Sequence, residues 1–204
     1  MNGKLFIKRG TKVIGGGSFD GNCEIVSVRI PDGCNYINDF AFHRCLSLKE
    51  VRVPTHSVME IGVKAFACTN LEKIVVPDTV EFIDRLAFAF NHRLRSVHIG
   101  KEVAVIRSGA FAGCPILEEI TVDPENEYYC SIDGNLYSKD KKQFICYASG
   151  KTDKSITVPD GVVTINDYGY TFSDCLYLEE IILPESVEEF DWVYNCPKLD
   201  YSGI

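Results

Sequence analysis

The sequence of 204 residues lacks several features that mark common protein classes. It has no run of about 18 consecutive apolar residues, so we expect no transmembrane helix. It has no surplus of basic residues, because 21 Lys and Arg stand against 29 Asp and Glu, and the net charge is −8. Nucleic-acid binding depends on a basic surface, so a nucleic-acid partner is not expected.

Residues 1–19 contain no apolar segment of signal-peptide length and no cleavage site of small residues. This leaves the localisation open. We expect a cytoplasmic protein if Met1 is the natural start, and a secreted or cell-surface protein if a leader has been removed. The nine cysteines form no Cys-x-x-Cys pair, so the usual zinc spacing is missing, and we predict no metal site and no cofactor.

A short apolar segment recurs along the chain, in most copies every 23 residues. Its alternating residues favour a strand with one face in a core, and the proline that ends several copies cannot donate a hydrogen bond to a neighbouring strand. The copies are residues 5–7, 28–31, 51–54, 74–77, 97–99, 120–122, 156–159, 181–184 and 202–204.

Two other positions recur with this segment. Half of the 12 phenylalanines occupy one of them, namely Phe19, Phe42, Phe66, Phe88, Phe111 and Phe172. The second position lies six residues before each apolar segment and holds Asn22, Cys45, Cys68, Asn91, Cys114, Cys175 and Cys196. Buried free cysteine packs as a small hydrophobic residue, so we expect these cysteines to be structural. Cys34 takes a place that valine fills in other copies.

No single copy can bury its own Phe, Leu and Ile side chains. Stacking the copies at the strand spacing of about 4.8 Å aligns like residues into one continuous core. The sequence therefore predicts a right-handed, β-rich solenoid with parallel strands on one face. We expect residues 1–204 to form a single domain of about eight repeats.

The repeat resembles the BspA-type leucine-rich repeat, which joins Cys-x-x-Leu-x-x-Ile-x-Ile-Pro to Val-x-x-Ile and Ala-Phe. The resemblance extends from about residue 5 to residue 204. It implies a leucine-rich-repeat fold and, at the level of the family, surface or secreted proteins that bind host or partner proteins. It names no partner.

The distance between Ile120 and Ile156 exceeds one repeat and indicates an insertion at about residues 124–155. The insertion resembles the β-hairpin common in that family. The polar residues 139–142 predict a turn between two short strands, and Asp133-Gly134 is a separate signal for a tight turn. We expect a flap at the sheet edge, either inert or a contact element. Whether Cys130 and Cys146, both inside it, form a disulfide is left open.

Catalysis finds little support in the sequence. A cysteine nucleophile would need a histidine beside an activated thiol, and His43 lies two residues from Cys45. A surface histidine next to a buried repeat cysteine is the more ordinary interpretation. We predict that the chain is not an enzyme.

Two functions remain. The first is a protein-binding module, either adhesin-like or of another host- or partner-interaction type, and the second is a structural repeat domain of a longer protein with no independent activity. Exposed terminal strands also predict end-to-end self-association.

The outward-facing residues of the strands form the predicted binding face. In each strand the residue between the two inward apolar residues points outward, and so does the residue before them. The predicted partner-binding face comprises Arg29, Arg52, Lys73, Val75, His98 and Thr121. Its cations are expected to attract an acidic partner segment.

Overall fold

A computed structural model of the chain describes residues 3–165, 168, 170–190, 193–200 and 202. Within these residues the chain winds into a parallel-strand solenoid of about eight coils and contains no helix. Each coil stacks on the one before it, because a single coil cannot enclose its own apolar side chains. The predicted leucine-rich-repeat solenoid is confirmed.

The recurring apolar segments form one line of short parallel strands, which we call the first row. Equivalent repeat residues lie opposite each other, as Val28 does with Val51 and Ile74 with Val97. The strands are β1 (Lys4–Phe6), β3 (Ser27–Arg29), β5 (Glu50–Arg52), β7 (Lys73–Val75), β9 (Ser96–Ile99), β11 (Glu119–Val122), β15 (Ser155–Thr157) and β17 (Glu180–Ile182).

A second row of parallel strands runs along another side of the solenoid. The sequence predicted strands on one face only, because two-residue strands are too short to show an alternating pattern. Their isoleucines point into the core, and Ile14 and Ile37 are buried. The strands are β2 (Val13–Ile14), β4 (Tyr36–Ile37), β6 (Glu60–Ile61), β8 (Phe82–Ile83), β10 (Val105–Ile106), β16 (Thr164–Ile165) and β18 (Glu189–Phe190).

The two rows divide at different places. The first row forms the sheets β1-β3-β5, β7-β9-β11 and β15-β17, whereas β2 to β10 of the second row form one continuous five-stranded sheet. The first division coincides with a change in coil length, since Ile37 to Ile61 spans 24 residues and Ile61 to Ile83 spans 22.

Stacked phenylalanine rings form the centre of the solenoid. Between Phe19 and Phe111, successive ring centroids lie 5.1 to 5.8 Å apart, and the ring planes differ by at most 9°. Phe42, Phe66 and Phe88 are completely buried. This ladder confirms the repeat position that was assigned to phenylalanine.

The position predicted for cysteine and asparagine, three residues after each phenylalanine, is a buried polar slot that links neighbouring coils. Cys45 Sγ donates a hydrogen bond to the Phe19 carbonyl at 3.1 Å. Asn91 Nδ2 donates in the same way to the Phe66 carbonyl at 3.0 Å. The side chain in this slot therefore satisfies a backbone acceptor that the turn of the preceding coil leaves inside the protein.

The assignment of Cys68 to this slot is wrong. Thr69 occupies the slot, where it is buried, while Cys68 is only half-buried. Cys68 has a φ of 56°, close to the values for Arg44 (56°) and Phe90 (59°), which precede the slot in the neighbouring coils. Between Phe66 and Leu71 the chain has one residue fewer than the other coils, and this moves Cys68 back by one place.

The insertion contains three antiparallel strands instead of the predicted two. They are β12 (Tyr129–Ile132), β13 (Asn135–Ser138) and β14 (Phe144–Cys146). The predicted turn at residues 139–142 joins β13 to β14. Asp133 and Gly134, with φ of 49° and 72°, join β12 to β13, and two positive φ values are typical of a type I′ turn.

The insertion is part of the core and is not a flap. Leu136 packs into the first core, which extends from Ile14 to Ile120, and the next residue, Tyr137, packs into the second core, which extends from Val158 to Leu199. Adjacent residues of a strand point to opposite faces, so β13 forms the wall between the two cores.

The two ends of the repeat array do not test the predicted end-to-end self-association. The ninth strand slot, residues 202–204, lies outside the described residues except for Ser202. At the other end, β1 pairs only with β3 within the described part of the chain. End-to-end self-association through these edges stays a prediction.

Candidate binding face on the first row

The residues of the predicted partner-binding face all lie on the outer side of the first row. Arg29, Arg52, Lys73 and Val75 are exposed, and His98 and Thr121 are half-buried. Arg29 is the register partner of Arg52, and His98 is the register partner of both Val75 and Thr121. The alternation of each strand therefore gives the orientation that the sequence predicted.

The structure divides this face into two parts. Arg29 and Arg52 lie on the sheet β1-β3-β5, and the other four residues lie on the sheet β7-β9-β11. In the second part, His98 Nδ1 lies 3.0 Å from Thr121 Oγ1, and that hydroxyl also donates to the Val97 carbonyl. These two polar groups already have partners within the protein. Among the charged residues of the face, Arg52 pairs with Glu50, whereas Arg29 on the first part and Lys73 on the second part have no ion pair within the described residues.

Additional basic residues surround the first part. Lys4 lies beside Arg29 and Arg52 around a depression of about 200 Å³, and Arg9 lines a neighbouring depression of about 500 Å³. Phe6 borders both depressions and is 75% exposed. We call Lys4, Phe6, Arg9, Arg29 and Arg52 the basic patch.

Sequence reasoning missed Lys4 and Arg9. The signal was present, because Lys4, Lys8, Arg9 and Lys12 fall within nine residues of an acidic protein. The repeat itself indicated both places, because Lys4 is the register partner of Ser27 and Arg9 lies 23 residues before Asp32, in an equivalent turn.

Carboxylates are also present at the basic patch. Glu50 accepts a hydrogen bond from Arg52 Nε at 2.7 Å, and Asp32 lines the larger depression. Four cations and two carboxylates leave a local charge of +2, against −8 for the whole chain. The patch is therefore positive on a protein that is negative overall.

The thiols are poorly suited to act as nucleophiles. Six of the nine cysteines are buried, namely Cys34, Cys45, Cys114, Cys146, Cys175 and Cys196. Burial raises the pKa of Cys45 to about 11 and that of Cys114 to about 12. A nucleophilic cysteine requires the thiolate, which a raised pKa disfavours.

His43 does not activate Cys45. Its Nδ1 lies 2.9 Å from Asp20 Oδ1, whereas the Cys45 thiol donates to a backbone carbonyl. Within the described residues, no group of three or more His, Cys, Asp and Glu side chains is arranged to hold a metal ion.

Cys130 and Cys146 do not face each other. They lie on β12 and β14, and β13 runs between these strands. Cys130 packs against the second core and donates to the Ser138 carbonyl, while Cys146 belongs to the first core. This strand order separates the two thiols.

No helix in the described part of the chain is long and apolar enough to span a membrane.

Comparison with known proteins identifies one family and several related folds. A family model for the BspA type leucine-rich repeat region matches residues 4–140 and 143–201 in six copies. No curated protein sequence matches the chain.

The solved structures that share the fold include the following three. A leucine-rich repeat protein from Eubacterium ventriosum ATCC 27560 is 24% identical with a TM-score of 0.72, covering 97% of this chain and 66% of its own. A leucine rich cell surface protein from Faecalibacterium prausnitzii A2-165 is 29% identical with a TM-score of 0.59, covering 90% and 42%. A leucine-rich repeat protein from Bacteroides ovatus ATCC 8483 is 22% identical with a TM-score of 0.71, covering 97% and 54%. This chain thus spans between 42% and 66% of the length of these proteins.

Proposed function

Because the chain belongs to the BspA-type leucine-rich repeat family, we propose that it is a protein-binding module without enzymatic activity, whose basic patch receives an acidic segment of the partner. The observation that carries this proposal is the local charge of +2 around an exposed aromatic ring on a protein of charge −8. The description of the Faecalibacterium relative as a cell surface protein supports an adhesin-like role among the possible binding functions.

Electrostatics favours an acidic partner at this patch. An acidic segment is repelled by most of the molecule, so the basic patch is where it can approach closely. Lys4, Arg29 and Arg52 lie on three neighbouring strands, and an extended segment crossing β1, β3 and β5 meets all three. Charge complementarity of this kind sets the orientation and the rate of association more than the final affinity.

Phe6 supplies the apolar part of the proposed contact. Its ring is 75% exposed and lies between the two depressions, so a partner side chain placed in either one covers it. Arginine and aromatic residues are enriched among the residues that contribute most to interface affinity. The patch combines both types within a few strands.

Charge reversal tests the proposal. The probe is a fluorescently labelled peptide of alternating Glu and Leu or Phe residues, and the readout is its anisotropy in 20 mM and 200 mM salt. We expect the double variant Arg29→Glu with Arg52→Glu to lose at least about tenfold in affinity at low salt, and the wild-type affinity to fall as salt screens the charges.

The matched control carries the same change of charge elsewhere. Lys154→Glu with Lys198→Glu alters two exposed lysines outside the basic patch, and we expect its affinity to change less than about twofold. Equal losses in both double variants, or an affinity independent of salt, would contradict the proposal. A structural repeat domain with no independent activity predicts no saturable binding in any variant.

A further inference from the structure

We number the coils by the phenylalanine position, so that the fifth coil contains Phe111 and the sixth contains β15, β16 and Phe172. The first row has a gap where the insertion meets the sixth coil. On the other sides of the solenoid the insertion stacks on that coil, because Gln143 bridges to Thr164 and the Tyr147 amide donates to the Thr171 carbonyl at 2.9 Å. In the first row, β15 pairs only with β17 within the described residues. The insertion turns away toward β11, where the Ile120 amide donates to the Gly134 carbonyl at 2.7 Å.

The unpaired edge of β15 borders a cleft of about 360 Å³. Lys154 and Val158 of the sixth coil hydrogen bond to the β17 side, through the Lys154 carbonyl and the Val158 amide. Because neighbouring residues of a strand point their amides and carbonyls to opposite sides, Ser155 and Thr157 direct theirs into the cleft. The volume is at the lower end of the range of about 300–1,000 Å³ that ligand sites occupy.

Tyr147, whose buried hydroxyl has no partner among the described residues, also lines this cleft. Tyr147 is 2% exposed, and its hydroxyl has no hydrogen-bond partner within the part of the chain that the structure describes. A buried polar group that lacks a partner costs roughly 1–3 kcal/mol, so a ligand that supplies one gains that interaction. The unpartnered hydroxyl and the open strand edge are independent observations on residues that line the same cleft.

The charged residues that line the cleft favour a basic ligand. Asp133 of the insertion and Asp153, two residues before β15, both line the cleft, and the lysine that lines it, Lys151, donates its ammonium group to the Asp133 carbonyl. Burial is the largest cause that raises the pKa of the Tyr147 hydroxyl, followed by electrostatic interactions with Cys175 and then Asp153. A guanidinium or ammonium group between that carboxylate and the hydroxyl meets both.

We propose that this cleft binds an extended peptide segment that carries an arginine or a lysine. The peptide backbone pairs with Ser155 and Thr157 as an added strand between β15 and the insertion, and its basic side chain reaches Asp153 and the Tyr147 hydroxyl. Strand addition of this kind takes affinity from backbone hydrogen bonds and specificity from side-chain pockets. The site lies apart from the basic patch, and the inference does not depend on the proposed function.

The test uses three blocked tripeptides as probes, Thr-Arg-Thr, Thr-Gln-Thr and Thr-Glu-Thr, with isotope-labelled full-length protein. We expect the arginine peptide to shift the amide signals of Ser155 and Thr157 and to slow their exchange with solvent. We expect the glutamate peptide to do neither, and the glutamine peptide to bind at least about fivefold more weakly than the arginine peptide.

Two variants separate the contributions to binding. Tyr147→Phe keeps the ring and removes the hydroxyl, and Asp153→Asn removes the charge. Each should weaken the arginine peptide at least about fivefold while the midpoint of thermal unfolding stays unchanged or, for Tyr147→Phe, rises. The control Asp160→Asn alters an exposed carboxylate of the same coil outside the cleft and should leave the affinity unchanged.

Several outcomes would overturn the inference. The arginine peptide at millimolar concentration could leave the Ser155 and Thr157 amides unprotected, or could shift only the signals of the basic patch. The glutamate peptide could bind as tightly as the arginine peptide. Both cleft variants could bind the arginine peptide with wild-type affinity. The variant Arg29→Glu with Arg52→Glu should bind the arginine peptide normally, so a failure of the proposed function and a failure of this site give different results.

Discussion

The polar slot shows how single residues compensate for a change in coil length. Thr69 reaches its own Phe66 carbonyl only at 3.4 Å. Asn91, in the next coil, donates to that carbonyl at 3.0 Å and accepts from both the Thr69 amide and the Thr69 hydroxyl. A cysteine in the place of Asn91 would offer one weak donor and only a weak acceptor. The asparagine that departs from the family pattern therefore lies where the shortened coil needs it.

Replacing this asparagine should be costly. Asn91→Ala leaves the Thr69 amide without its buried acceptor. It also leaves the Phe66 and Phe88 carbonyls with only the long bonds from the Thr69 hydroxyl and the Cys114 thiol, and an unmatched buried group costs about 1–3 kcal/mol. We expect the free energy of unfolding, measured by urea titration, to fall by at least about 3 kcal/mol. Asn91→Cys should lose less, since the thiol keeps one donor.

The control for this prediction is Asn70→Ala, which removes an asparagine bonded to the Leu46 carbonyl near the surface of an adjacent coil. It should cost less than about 1 kcal/mol, as surface changes usually do. A similar small loss for Asn91→Ala would show that the slot does not hold the coils together.

The buried thiols should make the protein sensitive to alkaline pH. Burial raises the pKa of Cys45 to about 11 and that of Cys114 to about 12, so between pH 9 and these values the folded state holds protons that the unfolded chain has lost. Their contribution to stability is complete below pH 9 and is lost as the pH rises toward 12. Urea titrations at pH 7.5, 9 and 10.5 should show a progressive fall in the unfolding free energy.

Cys114→Ser isolates this effect, because serine does not titrate in this range. Its unfolding free energy should fall less steeply with pH than that of the wild type, whereas the exposed Cys23→Ser serves as the control with the wild-type slope. Identical slopes for both variants would contradict the assignment of the pH dependence to buried thiols.

At the scale of elements, the insertion couples the two cores. The Phe144 ring lies 4.4 Å from that of Tyr137 and 5.2 Å from that of Phe172, which joins the insertion to the sixth coil. The Gly150 amide donates to the Leu117 carbonyl at 2.8 Å, which joins it to the fifth coil. In a repeat protein, stability depends on such contacts between neighbouring units.

Weakening this junction should make the two cores unfold in separate transitions. Phe144→Ala is expected to cost about 3–5 kcal/mol, as buried phenylalanines do. Hydrogen exchange should then show residues 155–200 opening before residues 4–122. Phe88→Ala, which removes a ring of the first core, should cost a similar amount of unfolding free energy, but residues 155–200 should not open before residues 4–122. If both variants open in the same order, the insertion is not the junction.

The elements that the sequence predicted are those with strong repeats. The phenylalanine ladder and the first row followed from residues that recur at a fixed spacing, and Asp133-Gly134 predicted its own turn. The strands of the second row were not predicted, because a pair such as Val13–Ile14 is too short to show a period. Strand β12 was missed since Tyr129–Ile132 has no counterpart in other coils. The cleft beside β15 could not be predicted, because it results from where the insertion turns.

At the scale of the whole molecule, the solenoid separates two surfaces of opposite charge on one row of strands. The basic patch lies on β1, β3 and β5, and the acidic cleft borders β15, with the sheet β7-β9-β11 between them. A linear array allows this separation, because each coil contacts only its neighbours and can carry its own surface residues. If both proposals hold, one chain contacts an acidic and a basic segment at the same time.

The most direct test of a module with two such sites is one amide chemical-shift titration of the wild-type protein. The acidic peptide is added first and the blocked Thr-Arg-Thr peptide second. We predict two separate sets of shifted signals, the first at Phe6, Arg29 and Arg52 and the second at Ser155 and Thr157, with the first set unchanged by the second peptide. A single set shared by both peptides, or no shift at either surface at millimolar concentration, would contradict the account.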